Sequence, residues 1–128
     1  MSAKSYNCPV EAAIDVIGGK WKALILWWLR QRTYRFAELR RLMPGITEKM
    51  LTQQLRELEA DGIVDRRVYP TVPPKVEYSL TEYGRSLEHA LQAICEWGRI
   101  HMRRIGAVET TPARMIKAKR NGTDVTKR

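Results

Sequence analysis

Apolar residues recur at helical spacing near the start of the chain, at i, i+3, i+4 and i+7. These positions are Val10, Ala13, Ile14 and Ile17. The spacing predicts a first helix with one apolar stripe, which begins at Pro9 and ends at Gly18-Gly19. A second helix is predicted over residues 20–29. Because this helix is apolar nearly all round, we expect it to lie at the centre of the core.

Two shorter amphipathic segments follow, separated by a tight turn. The first covers residues 37–43 and stops at Pro44-Gly45. Thr47 offers a hydroxyl N-cap for the second, and Gly62 ends it. The inward face of this second helix consists of Leu51, Leu55 and Leu58. Two helices joined by a tight turn that contains glycine form a helix-turn-helix.

The apolar period then changes from helical to alternating. Val76, Tyr78 and Leu80 alternate with polar residues, which predicts a half-buried strand, and residues 63–69 are its antiparallel partner. The linker over residues 70–74 contains three prolines. Proline cannot donate to a strand ladder, so the linker is expected to form a stiff, exposed tip.

Thr81 is the predicted N-cap of a long last helix over residues 82–102. Its wide apolar face includes Leu87, Ala90, Leu91, Ile94 and Trp97. A terminal helix with this much apolar surface on a small domain is expected to pack on a second subunit as well as on its own core. The polar, basic residues 106–128 are predicted to be disordered, which leaves residues 1–105 as the folded domain.

The order helix, helix, helix-turn-helix, hairpin and helix predicts a mainly α winged helix-turn-helix with a small β-hairpin. In this fold the second helix of the helix-turn-helix enters the DNA major groove. Its polar residues outside the leucine face form an outward strip of Lys49, Thr52, Gln53 and Arg56. Glutamine can read adenine, and arginine can read guanine or a phosphate. On this segment alone, a solvated helix face explains the outward strip equally well.

Six cations and one threonine flank the outward strip and are candidates for contacts to DNA phosphates. The predicted backbone contacts are Arg35, Arg40, Arg41, Thr47, Arg66, Arg67 and Lys75. The first three lie where the first helix of a helix-turn-helix crosses the DNA backbone. The hairpin cations are expected to lie along phosphates or in a minor groove, with a merely solvated turn as the alternative.

Charge and composition narrow the class of function. The 128 residues carry a net charge of +9, which favours a polyanionic partner. Residues 99–128 hold nine basic and two acidic side chains, and residues 30–56 hold seven basic and two acidic ones. The longest apolar run has seven residues, whereas a membrane span needs roughly 20. With no signal-peptide pattern at the start, a cytoplasmic protein without a membrane partner is expected.

The sequence carries no pattern of a catalytic or metal site. Two cysteines are too few for a disulfide framework, and no cysteine and histidine cluster has zinc spacing. Gly18-Gly19-Lys20 resembles the end of a phosphate loop, but Trp21 stands where Ser or Thr must bind magnesium. We therefore expect neither an enzyme nor a cofactor.

The motifs, taken in order, resemble the HxlR family of bacterial winged helix-turn-helix regulators, a MarR-like group. The matching stretches include Cys8-Pro9-Val10-Glu11, Ile17-Gly18-Gly19-Lys20-Trp21-Lys22, Pro44-Gly45-Ile46, Lys49-Met50-Leu51-Thr52, Val76-Glu77-Tyr78 and Trp97-Gly98. The resemblance covers roughly residues 8–102. It implies a homodimer whose first and last helices form the interface, and which binds promoter DNA, usually as a repressor. One departure is Ala37, where many relatives carry a serine that caps the helix, so that cap must come from elsewhere.

Cys8 is predicted at the N-cap of the first helix, where the helix dipole stabilises a thiolate. The resemblance implies that a cysteine at this motif position senses oxidants or electrophiles in some relatives. A structural thiol beneath the dimer helices is the alternative. Cys95, in the apolar last helix, is interpreted as a core residue. The effector stays open between an oxidant, an electrophile and a small-molecule ligand.

Two other functions compete with a dimeric, sequence-specific regulator of double-stranded promoter DNA. One is nonspecific or architectural nucleic-acid binding through the basic tail. Deletion of residues 106–128 separates these two, because a regulator keeps its site preference and loses only general affinity. The other is a protein-interaction module in which the winged helix is only a dimer scaffold. Unchanged DNA binding by an Arg56→Ala protein would favour this module.

Overall fold

The computed structural model describes residues 4–110. Six helices and three strands occur in this range, in the order α1 Pro9–Ile17, α2 Lys20–Leu29, β1 Tyr34–Arg35, α3 Phe36–Leu42, α4 Glu48–Ala60, β2 Val64–Tyr69, β3 Lys75–Leu80, α5 Glu82–Arg85 and α6 Glu88–Ile105. The predicted mainly α fold with a small β element is confirmed. The chain divides into two compact units after Gln92. Residues 111–128, most of the segment for which disorder is predicted, lie outside the described range.

The sheet has three antiparallel strands, one more than the predicted hairpin. β2 and β3 form that hairpin, with Val64 opposite Leu80. β1 pairs with the other edge of β3, with Tyr34 opposite Tyr78, so that the strand order is β1-β3-β2. A strand of two residues is too short to show alternation, which is why the sequence pattern did not predict it.

The core of the first unit is built on α2 and α4. The fully or nearly fully buried side chains of these helices are Ile25, Leu26, Leu29, Leu51, Leu55 and Leu58. The central place predicted for α2 is confirmed, although its tryptophans are only half-buried and Arg30 stacks on the Trp27 ring at 3.8 Å. Burial of all three predicted leucines fixes the rotation of α4, so its polar residues face outward.

Side-chain caps set the starts of both helices of the helix-turn-helix. Thr47 Oγ1 accepts a hydrogen bond from the Met50 N–H at 3.0 Å and begins α4, as predicted. At α3, the Glu38 carboxylate accepts a hydrogen bond from the Arg35 N–H at 2.8 Å. Because α3 begins at Phe36, Ala37 lies inside the first turn, and the bond between Glu38 and the N-cap residue Arg35 secures the start of the helix.

The single helix predicted over residues 82–102 is wrong in one respect, because it is broken into α5 and α6. The N–H groups of Ser86 and Leu87 bond to carbonyls three residues back, those of Tyr83 and Gly84. The Ser86 hydroxyl also donates to the Tyr83 carbonyl. Serine competes for backbone carbonyls in this way, so the helical ladder is interrupted and resumes at Glu88.

The turn into α5 depends on Gly84, which is buried against the loop that follows α4. A Cβ at Gly84 would lie 2.2 Å from the Ile63 carbonyl oxygen. Thr81 holds this approach in place, since its Oγ1 accepts from the Gly84 N–H at 2.9 Å and donates to the Gly62 carbonyl at 2.6 Å. A side chain here therefore requires the backbone to move.

We expect Gly84→Ala to lower the free energy of unfolding by about 1–3 kcal/mol, the usual cost of overpacking a filled site. Thermal unfolding followed by circular dichroism measures the effect. Gly98→Ala is the matched control, because a Cβ at that position meets nothing within 4 Å. Alanine in a helix interior is favoured over glycine, so the control should melt at or above the wild-type temperature. Equal melting of Gly84→Ala and wild type would contradict the close approach.

Candidate nucleic-acid interface

The four residues of the outward strip lie together on one side of α4. An open groove is lined by Phe36, Glu48, Lys49, Thr52, Gln53, Arg56, Glu57 and Ala60. Lys49, Gln53 and Arg56 are exposed and lie outside the leucine face, and Thr52 lies beside Gln53 and is half-buried. The helix thus presents two long cations, an amide and a hydroxyl on a single surface while its leucines hold it to the core.

The side chains of the outward strip differ in the hydrogen bonds and ion pairs that they make within the protein. Within residues 4–110, no hydrogen bond or ion pair engages Lys49 or Arg56, so both cations are available to a partner. Gln53 instead donates from Nε2 to Glu57 Oε2 at 3.2 Å. Glu57 Oε1 lies 2.6 Å from Lys22 Nζ. The hydrogen bonds from Lys22 and then Gln53 lower the pKa of the Glu57 carboxyl, which is therefore ionised at neutral pH.

Only one of the three predicted wing cations lies beside α4. Arg66 shares a cleft with Thr52 and Arg56 of α4 and with Tyr78 of β3. Arg67 is the next residue along β2, and neighbouring side chains of a strand point to opposite faces. In the register Arg67 lies opposite Glu77 and Tyr69 lies opposite Lys75, so these four residues occupy the other face of the hairpin.

That other face of the wing has its own contacts. Lys75 Nζ lies 4.4 Å from the centre of the Tyr69 ring and 3.8 Å from Glu77 Oε2. A hydrogen bond with Tyr69 raises the pKa of Arg67. This face of the wing therefore carries two cations, Arg67 and Lys75, and the carboxylate of Glu77 partly neutralises their charge.

The predicted cations at the start of α3 and on α3 itself are also divided between two places. Arg40 reaches toward the start of α4, where its Nη1 lies 3.8 Å from Glu48 Oε2. Arg35 and Arg41 line a separate cleft with Arg32 and Glu77. Adjacent residues on a helix point in different directions, so Arg40 and Arg41 lie beside different neighbours in the structure.

Sequence reasoning missed two residues next to the outward strip, Glu57 and Lys22. The spacing of Gln53 and Glu57, four residues apart on one helix, was a readable signal for a contact between them. Lys22 is on α2 and comes to Glu57 only through the packing of the two helices. Tertiary contacts of this kind have no local sequence signal.

Cys8 occupies the predicted N-cap of α1 and is exposed. The segment before it folds back along the helix, since the Tyr6 hydroxyl donates to Asp15 Oδ2 at 2.6 Å and Lys4 Nζ lies 3.1 Å from the same oxygen. The hydrogen bonds from Tyr6 and Lys4 lower the pKa of Asp15. Cys95 is half-buried, which corrects its interpretation as a core residue.

Two helices expose apolar side chains that a lone chain does not cover. α1 has no buried residue, and its Val10 and Ile14 are more than half exposed. On α6, Ile94, Trp97 and Ile100 are also more than half exposed. The Trp97 ring stacks on His101 with ring centroids 5.3 Å apart. Exposed faces of this size are typical of surfaces that bind another protein.

Membrane and metal features are absent from the described part of the chain. Within residues 4–110, none of the helices combines the length and the hydropathy of a bilayer span. Nor does this range bring together three His, Cys, Asp or Glu side chains that could hold a metal ion.

A helix-turn-helix followed by a β-hairpin, with a polar second helix facing outward, defines a winged helix transcription regulator. The chain matches the family described as HxlR-like helix-turn-helix over residues 16–105, and it belongs to that family. The membership inferred from the sequence motifs is thereby confirmed.

Similar proteins agree with this assignment. The HTH-type transcriptional regulator YtcD of Bacillus subtilis is 61% identical over 105 residues, which cover 82% of this chain and 83% of YtcD. The structure of the redox regulator HypR in its oxidised form has 60% identity and a TM-score of 0.69, and the match covers 72% of this chain and 95% of HypR. The structure of the reduced form of HypR has 56% identity and a TM-score of 0.73, and the match covers 77% of this chain and 96% of HypR.

Proposed function

We propose that the protein is a homodimer that binds a near-palindromic promoter sequence and acts as a repressor. The observation that carries this proposal is the outward strip of α4, in which four side chains suited to base edges share one face. In the proposed complex α4 lies in the major groove. Lys49, Thr52, Gln53 and Arg56 contact base edges there.

Phosphate contacts position the protein on the duplex. We assign them to the residues predicted from the sequence, Arg35, Arg40, Arg41, Thr47, Arg66, Arg67 and Lys75. The position of Arg66, which shares a cleft with Thr52 and Arg56 of α4, supports a phosphate contact at the edge of the groove that α4 enters. Such contacts supply affinity that falls with salt but carry no sequence information.

Dimerisation through α1 and α6 explains why both helices leave apolar residues uncovered. A twofold axis places two copies of α4 on two half-sites, which are related by an inverted repeat. Their centres are then about one helical turn, roughly 34 Å, or a multiple of it apart.

Selection of binding sites from a random pool of DNA duplexes tests this proposal and requires no known promoter. Purified, reduced protein is used at about 150 mM salt, where nonspecific binding is weakened. The expected product is one inverted repeat. An enriched pool without a common sequence would instead support nonspecific or architectural binding, the alternative that the basic tail suggests.

We also propose that oxidation of Cys8 alters DNA binding. The thiol is exposed at the N-terminus of α1, and peroxide converts a cysteine thiolate to a sulfenic acid with release of hydroxide. The similar protein HypR is described as a redox regulator, with an oxidised and a reduced form. At an N-cap, a changed sulfur group acts directly on the start of the helix proposed to bind the second subunit.

Replacement of Cys8 by serine is expected to make operator binding insensitive to hydrogen peroxide, whereas the wild-type Kd should change several-fold. Serine is a good N-cap, so the helix start is preserved. Fluorescence anisotropy with labelled operator, before and after peroxide treatment, measures the Kd. Cys95→Ser is the control and should respond like wild type. A Cys8→Ser protein with the full wild-type response would show that Cys8 is a structural thiol.

A further inference from the structure

Three side chains form a continuous chain of contacts from α2 to the outward strip. Lys22 Nζ lies 2.6 Å from one oxygen of Glu57, and the other oxygen accepts from Gln53 Nε2 at 3.2 Å. Glu57 also lines the open groove beside Gln53. We propose that Glu57, held by Lys22, is a positioning residue that fixes the amide of Gln53 and thereby sets which base this residue reads. The proposal rests on the DNA-reading role of α4.

The hydrogen bond between Gln53 and Glu57 fixes which way round the Gln53 amide lies. A glutamine amide has two N–H donors and one carbonyl acceptor, and its nitrogen and oxygen exchange places when the group turns over. An ionised carboxylate only accepts hydrogen bonds, so Gln53 must present its nitrogen to Glu57. One N–H and the carbonyl oxygen remain free. These are the two groups that a bidentate contact to adenine requires.

Lys22 removes the freedom of Glu57. Each carboxylate oxygen has its own partner, so rotation of the carboxylate about its terminal bond would break two contacts. The Lys22 side chain is only 13% exposed, whereas that of Glu57 is 43% exposed. The less mobile member of the pair is therefore the lysine, which is fixed by the packing of α2 against α4.

Lys22 also explains how a carboxylate is tolerated on a surface proposed to meet DNA. An unpaired Glu57 would repel phosphates and would draw the free cations of the outward strip toward itself. The ion pair cancels its charge locally, and the lowered pKa of Glu57 is consistent with a carboxylate stabilised in its ionised form. Lys49 and Arg56 stay available within the described chain.

The test uses Glu57→Gln, which keeps the size of the side chain and removes its charge. Kd values are measured for the site that wild-type protein selects and for every single base-pair variant of it. We expect Glu57→Gln to discriminate about five- to tenfold less well at the one base pair where Gln53→Ala also discriminates less well. Discrimination at all other base pairs should be unchanged. A loss of this size lies within the range of a bidentate base contact. The double variant should lose no more than Gln53→Ala alone, because Glu57 acts only through Gln53.

Three further variants separate positioning from charge and from folding. Glu82→Gln removes the same charge from an exposed position on α5, outside the groove of α4, and should leave base preference unchanged. Lys22→Met should reproduce the loss of discrimination, whereas Lys22→Arg should retain the wild-type discrimination. Melting temperatures are recorded for each protein, so that a folding defect is detected.

The outcomes distinguish failure of this inference from failure of the proposed function. If wild-type protein selects no site, the DNA-reading role fails and the inference falls with it. If wild type is specific and Glu57→Gln discriminates equally well at every position, the inference alone is overturned. A uniform loss of affinity for all DNA, together with a lower melting temperature, would also overturn it, because Glu57 would then be merely structural.

Discussion

Replacing Trp97 by lysine is expected to convert the dimer to a monomer and to lower affinity for a two-half-site operator by about 10²–10⁴-fold. Trp97 is 64% exposed in the chain, beside Ile94 and Ile100 on α6, which are each 54% exposed. Large aromatic residues dominate the energetics of protein interfaces when a partner covers them. A lysine in the same place would bury an unpaired charge, so the second half-site would no longer be bound in the same encounter.

Two measurements follow this effect. Analytical ultracentrifugation gives the oligomeric state, and fluorescence anisotropy gives the Kd for the operator. Trp97→Phe is the matched control and should remain dimeric, because it keeps an apolar ring. The added lysine charge favours DNA binding, so a loss of affinity cannot come from repulsion. A dimeric Trp97→Lys protein with wild-type affinity would show that α6 is not the interface.

Replacing Arg56 by alanine is expected to cost about five- to 150-fold in discrimination at one base pair of each half-site. Arg56 lies on the outward strip and has no hydrogen-bond or ion-pair partner within residues 4–110. It also lies in the cleft between α4 and Arg66 of the wing. A guanidinium in this place can present two donors to a guanine edge without first breaking an ion pair.

The measurement compares Kd values for the selected site and its single base-pair variants at several salt concentrations. Arg103→Ala removes the same charge from α6 and should weaken all sequences alike, if at all. An Arg56→Ala protein that weakens every sequence by one factor would assign Arg56 to a phosphate. No change at all would favour a protein-interaction module, in which the winged helix is only a scaffold.

The outward strip could be predicted because the spacing of three leucines shows which face of the helix is buried and therefore which face is exposed. Once Leu51, Leu55 and Leu58 are buried, geometry leaves Lys49 and Gln53 outside. Thr47 could be predicted as a cap because its hydroxyl acts on the backbone three residues later. Features that depend on neighbours in the sequence were therefore readable.

Features that depend on residues distant in the sequence could not be predicted in this way. The close approach of Gly84 to Ile63, which holds the turn into α5, joins two separate parts of the chain that one sequence window does not contain. The pairing of β1 is likewise a long-range contact. The serine bond at Ser86 that interrupts the helix is local, and the apolar period alone did not predict it. The wing cations were predicted as one group, although alternation along β2 already places Arg66 and Arg67 on opposite faces.

Competition between the selected site and unrelated DNA tests the central claim most directly, since that claim is sequence-specific binding by α4. Labelled operator is bound to reduced wild-type protein at about 150 mM salt and titrated with each unlabelled competitor. A specific regulator should need at least about 10³ times more unrelated DNA than unlabelled operator for the same displacement. Equal displacement by both competitors would contradict the account, because binding would then depend on phosphates alone.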